Sequence, residues 1–166
     1  MTTTSTREHY AQLLPLDGDR ALLPAVAVGE VLNMERIELA AGAPNWYIGV
    51  KRWSGRELPI VSLEGVCGRP IPPRSSRTRL VVVRTPAGGV GMALVCQGQP
   101  HLAPVNAVAL QPAELTAVDP AEFVLARVRI ANISAMVPDL EAIEERLDDA
   151  RQAALASSLP GWEPAK

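Results

Sequence analysis

The frequency of proline is the feature that most limits what this chain can fold into. Its 166 residues include 15 prolines, spread along the sequence rather than gathered at one end. Because proline breaks helix interiors and removes a backbone donor, a chain interrupted this often is not a bundle of long helices. Short apolar runs alternate with turn-rich spacers such as Gly42-Ala-Pro44 and Gly98-Gln-Pro100. This pattern predicts an all-β sandwich or barrel.

The apolar runs are the predicted strands. A buried strand is expected from Ala21 to Val28, leading into Glu30. The further predicted strands are Trp46–Val50, Leu58–Leu63, Leu80–Val83, Val90–Val95, Val105–Leu110 and Phe123–Ile130. One helix is predicted from Pro138 onward, because apolar residues recur there at three- and four-residue steps, at Leu140, Ile143, Leu147, Ala150 and Ala154.

This pattern divides the chain into three parts. Residues 1–11 are expected to form a polar, mobile leader, and residues 158–166 a polar tail. Residues 12–157 form the expected domain, and a Pro-rich linker near residues 69–78 divides it into two small units. The units echo each other faintly, since each ends in an apolar strand followed by Leu-Glu, at Leu63-Glu64 and at Leu140-Glu141. This echo hints at a duplicated barrel.

Charge and composition exclude several classes of protein. The net charge is −2 and the pI is near 5.7, whereas nucleic-acid-binding domains usually have a pI above about 9. The N-terminal residues lack the apolar segment of a secretory signal. The longest apolar run, Ala21–Val28, is far too short to span a bilayer. We therefore expect a cytoplasmic protein with no nucleic-acid partner and no direct membrane insertion.

The residues that carry catalysis and metal binding are sparse. Two histidines and two cysteines lie far apart in sequence, so no metal-ligand spacing is present. No glycine cluster has the spacing of a phosphate-binding loop, and we predict no cofactor, no metal and no enzyme activity. Cys67 and Cys96 are expected to be buried and reduced. The alternative hypothesis is a small β-barrel that binds a small ligand or acts as a thiol-dependent enzyme, and it requires Cys96 and His101 to converge as nucleophile and base.

The segment Trp46-Tyr47-Ile-Gly-Val-Lys-Arg-Trp53 holds three of the six aromatic residues. Strand alternation would place Trp46, Ile48 and Val50 on one face, and Tyr47 and Gly49 on the other. Trp46 is expected to be part of the core. Trp53 precedes the Ser54-Gly55 turn, and an aromatic side chain at the mouth of a turn could equally be structural or anchor a partner.

The order of these motifs resembles the CheW-like domain of bacterial chemosensory adaptors. The matching strings are Val28-Gly-Glu30-Val31-Leu32, then Ala43-Pro44-Asn-Trp46-Tyr-Ile-Gly49-Val50, then Gly55-Arg-Glu-Leu-Pro59-Ile-Val-Ser-Leu63. The second half agrees more loosely, and the likeness runs from about residue 12 to the helix.

The resemblance implies two small five-stranded β-barrels that share a core, plus short helices. It also implies a non-catalytic scaffold that joins the cytoplasmic tip of a methyl-accepting chemoreceptor to the regulatory domain of a histidine kinase. Glu30, Gly49, Val50 and Gly55 match family positions in or near the partner-binding surfaces. With their neighbours they make up the expected partner-binding set: Glu30, Val31, Gly49, Val50, Trp53, Ser54 and Gly55.

Two departures from the family pattern bear on function. The family's turn arginine is Ser54 here, and its aspartate before leucine is Ser62. Serine cannot replace the planar fork of donors that arginine provides. The sequence therefore resembles a divergent or accessory adaptor, of the sort found in pilus-type (twitching) chemosensory systems. An orphan scaffold without kinase contact is a further alternative.

Overall fold

The computed structural model describes residues 9–85, 90–105 and 110–158. These ranges contain the strands β1 (His9–Pro15), β2 (Arg20–Pro24), β3 (Val28–Asn33), β4 (Ile37–Leu39), β5 (Tyr47–Trp53), β6 (Arg56–Ser62), β7 (Arg79–Arg84), β8 (Val90–Cys96), β9 (His101–Val105), β10 (Leu110–Ala113), β11 (Val124–Ile130) and β12 (Ile133–Pro138). They also contain a one-turn helix α1 (Leu63–Val66) and a long helix α2 (Leu140–Ser158).

The strands form two six-stranded sheets. The first sheet has the order β10-β11-β12-β2-β1-β9, and the second sheet has the order β3-β7-β8-β6-β5-β4. Neighbours are antiparallel except at one place in each sheet, where β12 runs parallel to β2 and β6 runs parallel to β8. The predicted all-β class with one C-terminal helix is confirmed, with six strands rather than five in each sheet.

Each sheet combines strands from both halves of the chain. The hairpin β1–β2 joins β9–β12 in the first sheet, while the hairpin β7–β8 joins β3–β6 in the second. Each half of the chain is thus a hairpin followed by four strands and a helix, and each hairpin pairs with the four strands of the other half. The repeated Leu-Glu of the sequence marks equivalent places, because Leu63 begins α1 and Leu140 begins α2.

This exchange changes the role of the Pro-rich stretch. Residues 67–78 form an extended connection between α1 and β7, but β6 and β7 belong to the same sheet. The connection therefore does not separate the two units. The chain passes from one sheet to the other between β2 and β3 and again between β8 and β9.

Three apolar clusters hold the fold together. The largest lies between the sheets and takes in Leu23 from the first sheet, Leu94 from the second, and Ile143 and Leu147 from α2. A second cluster around Ile60 and Leu80 is formed only by the second sheet and the residues that flank its strands. A third, around Leu13 and Ala135, is formed by the first sheet. Two sheets with their own cores and one shared core are the arrangement that the family resemblance implied.

The predicted strand from Ala21 to Val28 is wrong in its second half. β2 ends at Pro24 and a 3-10 turn follows over Ala25–Ala27. Val26 in that turn is 82% exposed rather than buried. Proline cannot continue the ladder of a central strand, so the chain leaves the first sheet here and crosses to the second.

The ends of the domain also differ from expectation. β1 begins at His9 and Ala11 is buried, so the predicted leader is at least three residues shorter than residues 1–11. Residues 1–8 lie outside the described residues, as do residues 159–166 of the predicted tail and residues 106–109 of the predicted strand Val105–Leu110. No helix in the described part of the chain is long and apolar enough to cross a membrane.

Candidate partner-binding surface

The β5–β6 hairpin presents the Ser54-Gly55 turn at one end of these two interior strands of the second sheet. Trp53 pairs with Arg56 across the hairpin, so the loop contains only two residues. Both have positive φ, 50° at Ser54 and 78° at Gly55, as a type I′ turn requires. Gly55 adopts this conformation at little cost, and both residues are exposed to solvent.

Trp53 lies beneath this turn and contacts Glu30. The indole Nε1–H donates to Glu30 Oε2 at 3.0 Å, although β3 and β5 are not neighbours in the sheet. The ring is half-buried and packs against the core of the second sheet. Trp53 is therefore structural on its inner side, while its polar edge holds an exposed carboxylate in place. Four of the predicted residues, Glu30, Trp53, Ser54 and Gly55, come together here, and we call them the turn surface.

Glu30 retains capacity to bind a partner. Its side chain is exposed, and only Oε2 accepts a hydrogen bond from the described part of the chain. Val31 follows it on β3, half-buried and paired with Val81. A carboxylate with a free oxygen beside an exposed turn can accept hydrogen bonds from arginine, lysine or backbone donors.

Packing within the chain accounts for the glycine at position 49. It is buried, and an added Cβ would overlap the carbonyl oxygen of Glu38 and lie 3.1 Å from Ile37 Cγ2. The close approach that glycine permits is to the chain's own β4, which pairs with β5 at Leu39 and Gly49. The structure therefore explains this glycine by packing within the chain.

Val50 lies in a groove and not at the turn. The β5–β6 register shifts between Tyr47 and Gly49, and such a bulge reverses the alternation of side chains. Tyr47 and Val50 consequently line the same groove, whereas Ile48 packs against the core of the second sheet. The expectation that Tyr47 and Val50 lie on opposite faces is wrong for this reason.

The sequence did not predict that two apolar residues, Val26 and Leu39, are exposed. Val26 is 82% exposed and Leu39 is 75% exposed. Both lie within or beside apolar sequence that predicts core residues. The sequence signals against burial were Pro24 near Val26 and the acidic Glu38 beside Leu39.

Ser62 replaces the family aspartate without loss of the helix cap. Its hydroxyl accepts a hydrogen bond from the Gly65 N–H at 3.2 Å, which is the N-cap interaction of α1. Asp139 Oδ1 accepts from Ala142 N–H in the same way at the start of α2. The Ser62 hydroxyl also lies 3.2 Å from Glu64 Oε2. Glu64 is only 1% exposed, so a hydroxyl donor is favourable beside its carboxylate.

The structure does not bring the alternative thiol site together. Cys96 Sγ lies 3.1 Å from the Gly98 carbonyl oxygen, and burial raises the pKa of this thiol to about 11. His101 is exposed on β9. Cys67 is half-buried, and its pKa is also raised, chiefly by burial. Both cysteines are free, and the described residues hold no group of three or more potential metal ligands.

A buried charge network was not predicted at all. Arg127 donates to Asp119 at 2.6 Å and to Asp19 at 2.7 Å, and Arg69 lies 3.1 Å from Asp19. Hydrogen bonds from Arg127 hold the pKa of Asp119 well below its usual value. The network joins the β1–β2 turn, the Pro-rich connection and β11. Because its members are far apart in sequence, no local sequence motif predicts this network.

The fold defines a class: a mostly β protein of two six-stranded sheets with one C-terminal helix. The family model for the CheW-like domain matches residues 12–147. The chain therefore belongs to the CheW-like domain family, as the motif order indicated.

The fold is similar to that of a solved structure described as the scaffolding protein TtCheW from Thermoanaerobacter tengcongensis. The TM-score is 0.69 at 17% sequence identity, and the match covers 80% of this chain and 90% of that chain. No curated protein matches the sequence significantly.

Proposed function

We propose that this protein is a non-enzymatic adaptor in bacterial chemosensory signalling, which links a chemoreceptor to a histidine kinase. It belongs to the CheW-like domain family, and the similar structure is described as a scaffolding protein. The observation that carries the proposal is the turn surface, where an exposed carboxylate is fixed by an indole next to a tight turn. An adaptor needs such preorganised binding surfaces, because affinity depends on how little must be ordered on binding.

The proposed partners are the regulatory domain of the kinase and the cytoplasmic tip of a methyl-accepting chemoreceptor. Ser54 occupies the turn position where the family has arginine, so the kinase contact lacks one set of charged donors. Arg52 and Arg56 flank the turn and are exposed. This departure supports the accessory role in a pilus-type, twitching system rather than the standard coupling role.

Binding to purified partners tests the proposal. The full-length protein is mixed with the kinase encoded in the same gene cluster, and separately with the receptor's cytoplasmic fragment, at tens of micromolar. Co-elution with either on size-exclusion chromatography is expected. If neither co-elutes, the direct adaptor is contradicted, and an orphan scaffold remains.

Two variants locate the contact. Glu30→Gln keeps an acceptor for the Trp53 indole but removes the charge, and we expect roughly tenfold weaker binding, or about 1.4 kcal/mol. Ser54→Arg restores the family residue at an exposed position and is expected to strengthen kinase binding. Glu141→Gln, on the exposed side of α2, is the matched control. Equal affinities for all three variants and the native protein would remove the turn surface from the proposal.

A further inference from the structure

A second surface lies where the outer face of β4 and β5 meets the C-terminal half of α2. A groove of about 630 Å³ runs between them, with Leu39, Tyr47 and Val50 on the sheet side and Leu155 on the helix side. Leu39 is 75% and Leu155 is 65% exposed. The groove shares no residue with the turn surface, so it is a separate feature of the molecule.

The groove continues along α2 as a narrower depression. That part has a volume of about 410 Å³ and is lined by alanine, glycine and proline, from the turn after β4 and from Ala150, Ala153 and Ala154. Ala41, Ala43 and Ala154 line both parts. Small side chains let another backbone approach closely. The combined groove follows residues 148–155 of α2, about two turns or roughly 12 Å of helix.

The charges around the groove favour a cationic partner. Among the described residues that line it, three carry carboxylates, Glu38, Glu57 and Asp148, and one, Arg151, carries a positive charge. Potentials that are complementary across an interface fix its register and select the partner. A partner with lysine or arginine beside its apolar residues would meet this excess of negative charge.

Tyr47 adds a polar group at the floor of the groove. Its hydroxyl makes no hydrogen bond to the described part of the chain, although the ring packs at 6.4 Å against Trp46. Arg151 and Glu57 line the groove together with Tyr47, and burial raises the pKa of its phenol. The hydroxyl can donate to or accept from a group that enters the groove.

The shape of the groove fits a helix better than a strand. β4, at the edge of the second sheet, has only three residues, and very short edge strands are poor templates for strand addition. One wall of the groove is the helix α2 and its floor is a face of the second sheet. Helices commonly pack against sheet faces in proteins built from layers of secondary structure. Apolar anchors on one side of a helix are a common way to fill such a groove.

We propose that this groove binds an amphipathic helix of a partner protein, with aliphatic residues along one stripe and lysine or arginine beside them. The aliphatic stripe covers Leu39, Val50 and Leu155. The cations pair with Glu38, Glu57 and Asp148. The proposal does not depend on the chemosensory role, because it follows from the lining of the groove alone.

Synthetic helical peptides test the groove directly. The probe is a fluorescein-labelled four-turn peptide with leucine on one stripe and lysine on both flanks. Two controls replace every lysine by glutamate or every leucine by serine. Fluorescence anisotropy against the full-length protein is expected to show binding of the leucine–lysine peptide and none of either control. Equal binding of the lysine and glutamate peptides would overturn the proposal.

Protein variants show whether binding occurs in the groove. Leu39→Ser and Glu57→Lys alter exposed side chains. Each is expected to lower the affinity for the leucine–lysine peptide by roughly fivefold or more, a loss of about 1 kcal/mol of binding free energy. Leu125→Ser changes a leucine of the first sheet that is 64% exposed and should leave the affinity unchanged. If all three variants behave alike, the peptide binds elsewhere and the proposal fails.

Self-association is the competing occupant. We compare the native protein and Leu39→Ser by sedimentation velocity over a range of concentrations. The two are expected to have the same oligomeric state. A dimer that disappears in Leu39→Ser would assign the groove to a second copy of the chain and contradict the proposal. Loss of kinase or receptor binding in Glu30→Gln would not affect this result, so the two proposals can fail separately.

Discussion

Gly49 is a residue for which the structure supplies a packing reason that the sequence alone could not locate. The motif order placed it among partner-binding residues, but its missing side chain makes room for the Glu38 carbonyl of β4. A contact between strands distant in sequence cannot be inferred from one glycine in an apolar run. Glu30, Trp53, Ser54 and Gly55 came from separate parts of the motif order, and the structure places them side by side through the Trp53–Glu30 hydrogen bond.

Gly49→Ala is expected to destabilise the protein by roughly 1–3 kcal/mol, because overpacking at a buried site forces the backbone to shift. Gly55→Ala is the matched control. Unlike Gly49→Ala, it places a side chain at positive φ and nothing lies within 4 Å of the added Cβ, so a loss of about 1–2 kcal/mol from backbone strain alone is expected. Urea denaturation measures both. Little or no loss in Gly49→Ala, with partner binding abolished, would instead indicate a direct contact.

Cys96 is expected to react slowly with alkylating agents in the native protein. Burial raises its pKa to about 11, so the thiolate is scarce near neutral pH, and the thiolate is the nucleophile. Iodoacetamide labelling at pH 8 followed by mass spectrometry should modify Cys96 only after unfolding, with half-buried Cys67 as the internal comparison. Rapid native labelling of Cys96 would revive the thiol-enzyme alternative.

Among the elements, α1 shows how a substitution in the family pattern is accommodated. Ser62 caps the helix as Asp139 caps α2, so the cap itself was predictable from the repeated Leu-Glu. Its neighbour Glu64 was not predicted to be buried, because an acidic residue at the start of a helix is usually solvated. The backbone N–H of Asp17 donates to this carboxylate at 3.1 Å.

Ser62→Asp is therefore expected to destabilise the protein, although it restores the family residue and can still cap the helix. It would place a second carboxylate beside the buried one, where like charges repel. Glu64→Gln in the same chain should recover part of the loss. Thermal unfolding of both single variants and the double variant gives the coupling energy. Strict additivity would show that the two side chains act independently.

The sequence did not predict β1 or most of β9, and it also missed two short strands that share a physical cause. β4 and β10 have three and four residues and lie at sheet edges, where side chains are exposed and no apolar run marks them. The central strands β6, β7 and β8 are nearly continuous apolar runs, and all three were predicted. The strand predicted over Ala21–Val28 was too long, because the residues at which the chain crosses from one sheet to the other are also apolar.

At the scale of the molecule, the sequence could not predict that each half of the chain contributes its hairpin to the sheet of the other half. Strand partners are set by packing across the whole chain, and the linker seemed to divide units that in fact share every sheet. The charge network has the same nonlocal character, since Asp19 and Arg127 are 108 residues apart. Both features tie the two ends of the domain together.

Because of this charge network, the free energy of unfolding should decrease as the pH falls into the acidic range. The pKa of Asp119 is lowered, first by hydrogen bonds from Arg127. The pKa of Asp19 is also lowered, because its bonds to Arg127, Arg20 and Arg69 outweigh the effect of burial. A carboxylate whose pKa is lower in the folded state stabilises the fold above its unfolded pKa of about 3.9, and this contribution is lost as the pH falls further.

Asp119→Asn is therefore expected to cost roughly 1.5–3 kcal/mol at pH 7, the value of a hydrogen bond to a charged group. Arg127 keeps Asp19 as a partner, so the variant should still fold. Urea denaturation at pH 7 and at pH 3 compares it with the native protein. The gap in stability between the two should narrow at pH 3, because Asp119 of the unfolded chain is then largely protonated while Asp119 of the folded protein stays ionised. Glu122→Gln, whose ion pair with Arg146 is long and exposed, is the control and should show little loss at either pH. A gap of the same size at both pH values would mean that Asp119 acts through its shape and hydrogen bonds rather than its charge.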